Sequence, residues 1–496
     1  MMQKDIAIVF DCGATNVRVI AMDTKGSILA SKAMSNETDD DPCFEGGRIW
    51  DLDKLWGKLC DCSLEVTKTI DAERIAGITF TTFGVDGALV GAVGELLYPV
   101  ISWQCGRTQP IMESIDRYMP LDKLYELSGV FPYAFNTINK LIWFKENKPD
   151  LLEKAHRFLF IPSLLINKLT GAMQNDATMM GTSMMTDLKN RRFSQQILDT
   201  IGVDPSLFGE IAEPGDKAGV INLQGSEETG LPLGMPVFFA GHDTQFAIFG
   251  SGAKLNQPVL SSGTWEILMS RSTDFRASKK ELEKNLTTEG DAINGVFNIG
   301  QNWLGSGVLE WFSKNFYPEL SGNDLYRTMI EEATQVLPGS HGLQIDPSFY
   351  DDGTGGAGGT INGLTINTKR HEIYRALLES LAFRLREGLE ALEEAGGFKA
   401  ERIICVGGGS KNNLWNQLRA NVCQVPIQLI DQKETTVLGG ALFVFAGSKV
   451  FSSVDEAREN ICYNPHVIQV NSEEKGMWDD LYNKYLAYKK QQSINV

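Results

Sequence analysis

The stretch Ile6–Ala30, IAIVFDCGATNVRVIAMDTKGSILA, decides how the chain is read. An unbroken apolar run, Ile6–Phe10, ends at a charged residue, Asp11. A small-residue turn at Asp11–Asn16 follows, and apolar residues then alternate through Val17, Val19 and Ala21. A second turn, Asp23-Thr24-Lys25-Gly26, leads to another extended segment. Alternation with a period of two between turn signals reads as a β-meander.

Outward from it the pattern changes period. Leu52, Leu55, Leu59 and Val66 predict a helix around Asp51–Ile70. IAGITFTTFG, from Ile75, reads as a strand. A second hairpin, PVLSSGTWEILMSRSTDF from Pro258, repeats the strand, small-residue turn and strand of the first about 250 residues later, which suggests a duplicated domain. INTKRHEIYRALLESLAFRLREGLEALEEAG, from Ile366, is a long amphipathic helix with Tyr374, Leu377, Leu378, Leu381, Leu385 and Leu389 on its apolar face. Gly396-Gly397 ends it. RIICVGGGSKNNLWNQLRANV, from Arg402, then reads as strand, glycine turn and helix. YDDGTGGAGGT, at 350–360, is expected to be a surface loop or a lid. The domain boundary is placed near Ala247, giving domains 1–247 and 248–496.

Bulk properties bound the function. A chain of 496 residues is too long for one ordinary core and suggests two large domains. A hydrophobic share of 43% and a charged share of 22% are those of a soluble globular protein. A net charge of −17 argues against a nucleic-acid partner, which needs a basic footprint, but leaves an anionic small ligand open. The eight cysteines (Cys12, Cys43, Cys60, Cys62, Cys105, Cys405, Cys423 and Cys462) form no CxxC pair and read as reduced thiols. The five histidines are dispersed, so no His/Cys metal cluster is expected. The apolar run Ile6–Phe10 is too short for a signal segment or a membrane span. A cytoplasmic protein without a membrane partner is expected; homo-oligomerisation is left open.

Three turns follow three strands: DCGATN at 11–16, SSGT at 261–264 and VGGGS at 406–410. Glycine there lets backbone N–H groups approach an anion, and Ser and Thr hydroxyls add donors; ordinary strand turns use the same residues. None is a Walker A loop or a GxGxxG fingerprint. Asp11, at a strand end beside one turn, reads as a Mg²⁺ partner or as an Asx-turn residue. Arg18 reads as a balance for phosphate charge or as a solvated strand residue. TTFGVDGALV places Gly84 and Asp86 in a turn, and ISWQCGRT supplies Trp103 and Arg107. FNIGQNWLGSGVLEW sets Asn298, Gln301, Asn302 and Ser306 beside Trp303 and Trp311, either to read hydroxyl groups or to cap a helix starting near Trp303. In FFAGHDTQFA, residues 238–247, a carboxylate stands where a strand gives way to a helix. Asp243 is therefore either a helix cap or a catalytic base.

DCGATNVR, GHDTQ, SSGTWE and VGGGSKNNLWNQ, in this order and spacing, resemble the motifs of the FGGY carbohydrate kinases over nearly the whole chain. The resemblance implies an α/β protein of two ribonuclease-H-like domains, of the actin/hexokinase type, with an active-site cleft between them. It implies a sugar and ATP as small-molecule partners, with Mg²⁺ near Asp11. Asp243 would take the proton from the C1 hydroxyl of a ketose as that oxygen attacks the γ-phosphorus. Gly13, Ala14, Thr15, Asn16, Arg18, Gly263, Thr264 and Ser306 would lie on the phosphate side, and Gly407, Gly408 and Gly409 along the adenosine. Gly84, His242, Asp243, Thr244 and Asn298 would bind the sugar, and Asp86 is added to them from its place in the turn. The phrases TTFGVDGALV, LLYPVISW, AGHDTQFA and VLSSGTWEILM resemble the branch of the family that acts on L-fuculose. L-rhamnulose or another ketose is the alternative. A non-catalytic actin-like module is disfavoured, because the last adenosine-side motif ends near residue 440 and only about 55 residues follow. A sugar-responsive regulator is disfavoured because no basic helix-turn-helix is present.

Overall fold

The computed structural model describes residues 4–349 and 358–494. Most of the glycine-rich stretch read as a loop or lid, residues 350–357, lies outside the described residues. The chain divides into two compact units. One comprises Met1–Gly252, Ser272–Asn298 and Glu434–Tyr463; the other comprises Ala253–Arg271, Ile299–Lys433 and Asn464–Val496. A single cut near Ala247 does not describe these units, because two later segments return to the first. The helix Thr435–Gly447 shows why. It is apolar on nearly every side, and its Leu438, Ala441, Leu442 and Phe445 share a core cluster with Ala7, Val9, Ile20, Phe246 and Phe249.

In the first unit the strand Ile6–Cys12 is buried along its whole length. It pairs antiparallel with Asn16–Asp23, which pairs antiparallel with Ile28–Ser35, so the meander forms. On its other side Ile6–Cys12 pairs in parallel with Ile75–Thr82, and Pro236–Phe238 and Gly241–His242 extend that parallel side. One face of the central strand, through Ile6, Ile8 and Phe10, packs with the helix Leu52–Thr67 and the helix Ile161–Thr170. Asp51 caps the first of these helices by accepting from Asp53 and Lys54. The opposite face, through Ala7 and Val9, packs with the cluster that holds Thr435–Gly447. A further cluster around Leu124, Leu141, Phe158, Phe160 and Phe208 forms its own core between residues 89 and 208.

The second unit repeats the strand order. Pro258–Ser262 pairs antiparallel with Trp265–Ser272 and in parallel with Ile403–Val406, which pairs in parallel with Ile427–Leu429. The strand Phe297–Leu304, whose residues from Ile299 on belong to this unit, lies beyond Trp265–Ser272. The duplication read from two hairpins is thus carried through a meander, a parallel side and an antiparallel edge strand in each unit. The long helix spans Arg370–Gly396, and Gly397, at a φ of 66°, terminates it. All six residues assigned to its apolar face are buried. The helix near Trp303 begins later, at Ser306, because Trp303 still belongs to a strand. None of the eight cysteines forms a disulfide among the described residues. Among the described residues, no helix is long and apolar enough to cross a membrane.

The helices Asp243–Gly250 and Thr435–Gly447 approach closely enough to exclude a side chain at their crossing. A Cβ at Gly439 would stand 2.1 Å from the Phe246 carbonyl oxygen, and one at Gly250 would stand 2.0 Å from that of Thr435. Backbone cannot yield as a side-chain tip can. Gly439→Ala should therefore destabilise the first unit by about 1–3 kcal/mol, the usual cost of overpacking, read as a lowered urea midpoint. An unchanged midpoint would mean that the two helices separate freely.

Candidate functional site

Strand register assembles the site in the first unit. Asp11 lies opposite Arg18 on one neighbour and Thr81 on the other, and Thr81 lies opposite Gly241. Four strands thus carry Arg18, Asp11, Thr81 and Gly241 in one row. Arg18 Nε donates to Asp11 Oδ2 at 2.7 Å, and Thr81 Oγ1 donates to Asp11 Oδ1 at 2.8 Å. Arg18 Nη1 also pairs with Glu434 at 2.7 Å. Beside this row the turn closes with Gly13 N–H donating to the Asn16 carbonyl, and Asn36 Nδ2 donating to that of Gly13, both at 2.9 Å. Thr15 and Asn16 stand exposed at its tip.

Gly241 and His242 end the parallel side, and the helix Asp243–Gly250 starts directly after them. Gly241 has a φ of 136°, and a Cβ there would stand 2.1 Å from Asp176 Oδ1. Only glycine suits both conditions. Asp176 caps its own short helix, and Thr178 Oγ1 there accepts from His242 N–H at 2.9 Å. These contacts set the direction in which residues 242 and 243 emerge. The N-cap position belongs to His242, whose side chain makes no capping bond. Asp243 is the first helical residue, and its Oδ1 accepts from Thr244 N–H at 2.6 Å and from Thr244 Oγ1 at 3.3 Å.

Burial chiefly pushes the Asp243 carboxyl up to about 6; His242 opposes the rise and Asp11 adds to it. Its side chain keeps 34% of its surface in solvent. His242 is raised above the ordinary histidine value, because Glu289, Asp243 and Asp176 outweigh the opposing effect of burial. His242 Nδ1 lies 3.2 Å from Glu289 Oε2, and Nε2 lies 3.5 Å from Asp243 Oδ1.

Gly84 belongs to the same cluster. The His242 ring stands 3.0 Å from the place where its Cβ would be. Val85, next to it, holds a φ of 65°, which is costly for a β-branched residue. Thr182 Oγ1 accepts from its N–H at 3.1 Å, and Thr137 Oγ1 donates to its carbonyl at 2.8 Å. Asp86 is fully buried. It accepts from Trp50 Nε1 at 2.6 Å and Trp103 N–H at 3.0 Å, and it pairs with Lys140. Its carboxylate thus holds the Trp103 backbone in place. Asn298 is also buried. Its amide donates to Gln245 Oε1 at 2.5 Å and to Asp291 Oδ2 at 3.0 Å, while its Oδ1 has no protein partner.

In the second unit the turn after Ser262 is closed by Gly305 N–H to the Thr264 carbonyl, at 2.8 Å, and Ser306 N–H to that of Gly263, at 3.0 Å. Gly263, Thr264 and Ser306 are therefore brought together. Gly409 packs on the same turn, since a Cβ there would stand 2.1 Å from Ser262 Oγ. Beneath it Arg419, stacked 3.6 Å over Trp415, donates to Ser262 Oγ at 2.7 Å and pairs with Glu266. Trp303 Nε1 donates to the other oxygen of Glu266 at 3.0 Å. Sequence reasoning assigned no role to Glu289, Gln245, Lys140, Glu434 or Arg419. A glutamate or glutamine in GHDTQ or SSGTWE is visible, but its partner 40 or more residues away has no local signal.

The sequence profile described as FGGY family of carbohydrate kinases, N-terminal domain, matches residues 6–250, and that of the C-terminal domain matches residues 259–447. L-fuculokinase from Escherichia coli (strain K12) is 44% identical over 462 residues, covering 93% of this chain and 96% of that one. Rhamnulokinase from Bacteroides thetaiotaomicron is 28% identical, covering 95% and 97%. The crystal structure of ligand-bound xylulose kinase from Lactobacillus acidophilus shares the fold, with a TM-score of 0.88, 20% identity and 98% of each chain covered.

A raised carboxyl pKa carries a sign for stability. The native state disfavours ionised Asp243, so folding is penalised above about pH 6, and the penalty fades as pH falls toward the unfolded value near 4. Asn carries no charge at any pH. Asp243→Asn should therefore melt no lower than the parent at pH 7.5, with any advantage shrinking toward pH 4.5. A clear loss at pH 7.5 would mean that the carboxylate is there to hold the helix start.

Proposed function

The chain belongs to the FGGY family of carbohydrate kinases, and we propose that it transfers the γ-phosphoryl group of ATP to the C1 hydroxyl of L-fuculose, with Asp243 as general base. The observation that carries this reading is the placement of Asp243. It is a partly exposed carboxylate raised to about 6, one residue beyond the end of the parallel strands, in a chain 44% identical to an L-fuculokinase. A base of that pKa is ionised at neutral pH, yet it is basic enough to accept a hydroxyl proton in the transition state.

The C1 oxygen attacks the γ-phosphorus while Asp243 takes its proton. The bond from the γ-phosphorus to the β–γ bridging oxygen breaks, and ADP leaves with that electron pair. Little covalent work falls to the protein, so position and charge govern the rate. Gly13, Ala14, Thr15 and Asn16 would offer turn donors to the phosphates, as would Gly263, Thr264 and Ser306; Gly407, Gly408 and Gly409 would follow the adenosine. Arg18, held through Nε on Asp11 and Nη1 on Glu434, would present its remaining Nη2 to phosphate. Gly84, His242, Thr244 and Asn298 would bind the sugar, and Asp86 would act by holding Trp103.

Each Asp11 oxygen accepts one hydrogen bond, and no group of three metal-ligating side chains occurs among the described residues. That suits Mg²⁺, which keeps several waters and binds through one or two carboxylates plus substrate phosphates. Asp11 would hold it, and it would neutralise phosphate charge. An enzyme drawing on ATP in this way would work in the cytoplasm.

The test is ATP consumption with L-fuculose, L-rhamnulose, D-ribulose, L-xylulose and glycerol, for the parent and Asp243→Asn. L-fuculose should lead in kcat/KM by more than about tenfold. The variant should lose about 10²–10⁴-fold in turnover. The parent's kcat/KM should rise with pH through about 6, as the base ionises. L-rhamnulose in the lead would move the chain to the alternative substrate, and a fully active variant would remove Asp243 as the base.

A further inference from the structure

The geometry points to Glu289 as the positioning residue for sugar recognition, acting through His242 and Gln245; this rests on the kinase reading above. Glu289 lies in the strand Thr287–Gly290, 47 residues from His242 in sequence, and outside every motif singled out from the sequence. Its Oε2 accepts from Gln245 Nε2 at 2.6 Å and lies 3.2 Å from His242 Nδ1. A carboxylate only accepts, so pairing with Glu289 assigns the proton to His242 Nδ1, and Gln245 Nε2, 3.4 Å from the same nitrogen, then donates to Glu289 and not to the ring. Nε2 is the ring nitrogen left to face Asp243 and the space beside Gly84.

The same carboxylate orients a second group. With Gln245 Nε2 committed to Glu289, Gln245 Oε1 must face Asn298, which donates to it and to Asp291. Both amide hydrogens of Asn298 are then used, and its Oδ1 is left buried without a partner. A buried acceptor without a donor is costly, and its usual explanation is a ligand or water that completes it. One glutamate therefore fixes which nitrogen of His242 bears the proton and which end of Asn298 is offered. Flipping the Gln245 amide would present an N–H to Asn298 Nδ2 and an oxygen to the Glu289 carboxylate, so the arrangement is locked in one sense. The pattern calls for a polyol ligand with a hydroxyl hydrogen aimed at Asn298 Oδ1 and a second hydroxyl at His242 Nε2.

The first experiment is ¹⁵N NMR of ring-labelled histidine in the full chain, with His242 assigned by substitution. Nδ1 of His242 should be protonated in the parent across neutral pH, and Glu289→Gln should shift that signal. A bare Nδ1 in the parent, or a signal unmoved by Glu289→Gln, overturns the proposal whatever the enzyme phosphorylates. The second is kinetic. Glu289→Gln should raise the KM for the favoured sugar about tenfold or more, leave the KM for ATP within about twofold, and be partly restored by Glu289→Asp. Combined with His242→Asn, its effect on sugar KM should be far from additive, as for groups acting through one another. Additive effects, or a rise in both KM values together, would make Glu289 a fold residue only. If the parent phosphorylates none of the sugars, the kinase reading fails, while the NMR result still decides the role of Glu289.

Discussion

A strand buried on both faces cannot carry an unpaired charge, and Ile6–Cys12 is such a strand. Its one ionisable carboxylate, Asp11, is tolerated because both neighbours supply a donor at its level, Arg18 from the antiparallel side and Thr81 from the parallel side. That compensation happens at the carboxyl end of the strand, where the parallel strands stop and the turns begin. The same end receives Gly241 and His242, so Asp243 emerges beside a region already organised around charge. Open α/β sheets place ligands outside the carboxyl ends of their strands for this reason: backbone donors and helix starts are available there and nowhere else along a buried strand.

The elements that a local pattern specifies were legible. The meander, the helix after Asp51, the second hairpin and the long helix ending at Gly397 all follow from periodicity and end signals. The family likeness added the motif residues, and Gly84, His242, Asp243, Thr244 and Asn298 all fall in the first unit. Several things were not legible. Ser272–Asn298 and Glu434–Tyr463 join the first unit through packing across nearly the whole chain, for which no window of sequence holds a signal. Asp86 reads as a turn residue, and nothing local shows that it is closed over by Lys140 and two tryptophans from three other segments. Glu289 sits between a threonine and a glycine in a short strand, and only its partners give it meaning.

The first unit tolerates local costs at the site. Val85 is held at a positive φ, Asn298 keeps a buried oxygen without a protein partner, and Asp243 is raised by burial. Each would be removed by selection for stability alone, and each stands within one cluster of contacts around His242. Three such costs within one cluster accord with the binding role proposed for it. Around Asp86 the polar groups are satisfied instead, and breaking its pair with Lys140 would leave an uncompensated buried charge.

The two units share a strand order but not a chemistry. Asp11 stands next to last in its strand, and the corresponding place in Pro258–Ser262 is Ser261, whose neighbours are Ile267 and Val406. The second copy therefore has no carboxylate and no arginine in that row. Its charges, Glu266 and Arg419, lie below the turn and cancel each other around Ser262 Oγ. A turn of neutral donors accepts an anion without repulsion, while a turn beside a carboxylate needs a cation to do the same. The divergence of position 261 from position 11 therefore separates the two copies by charge where strand order does not.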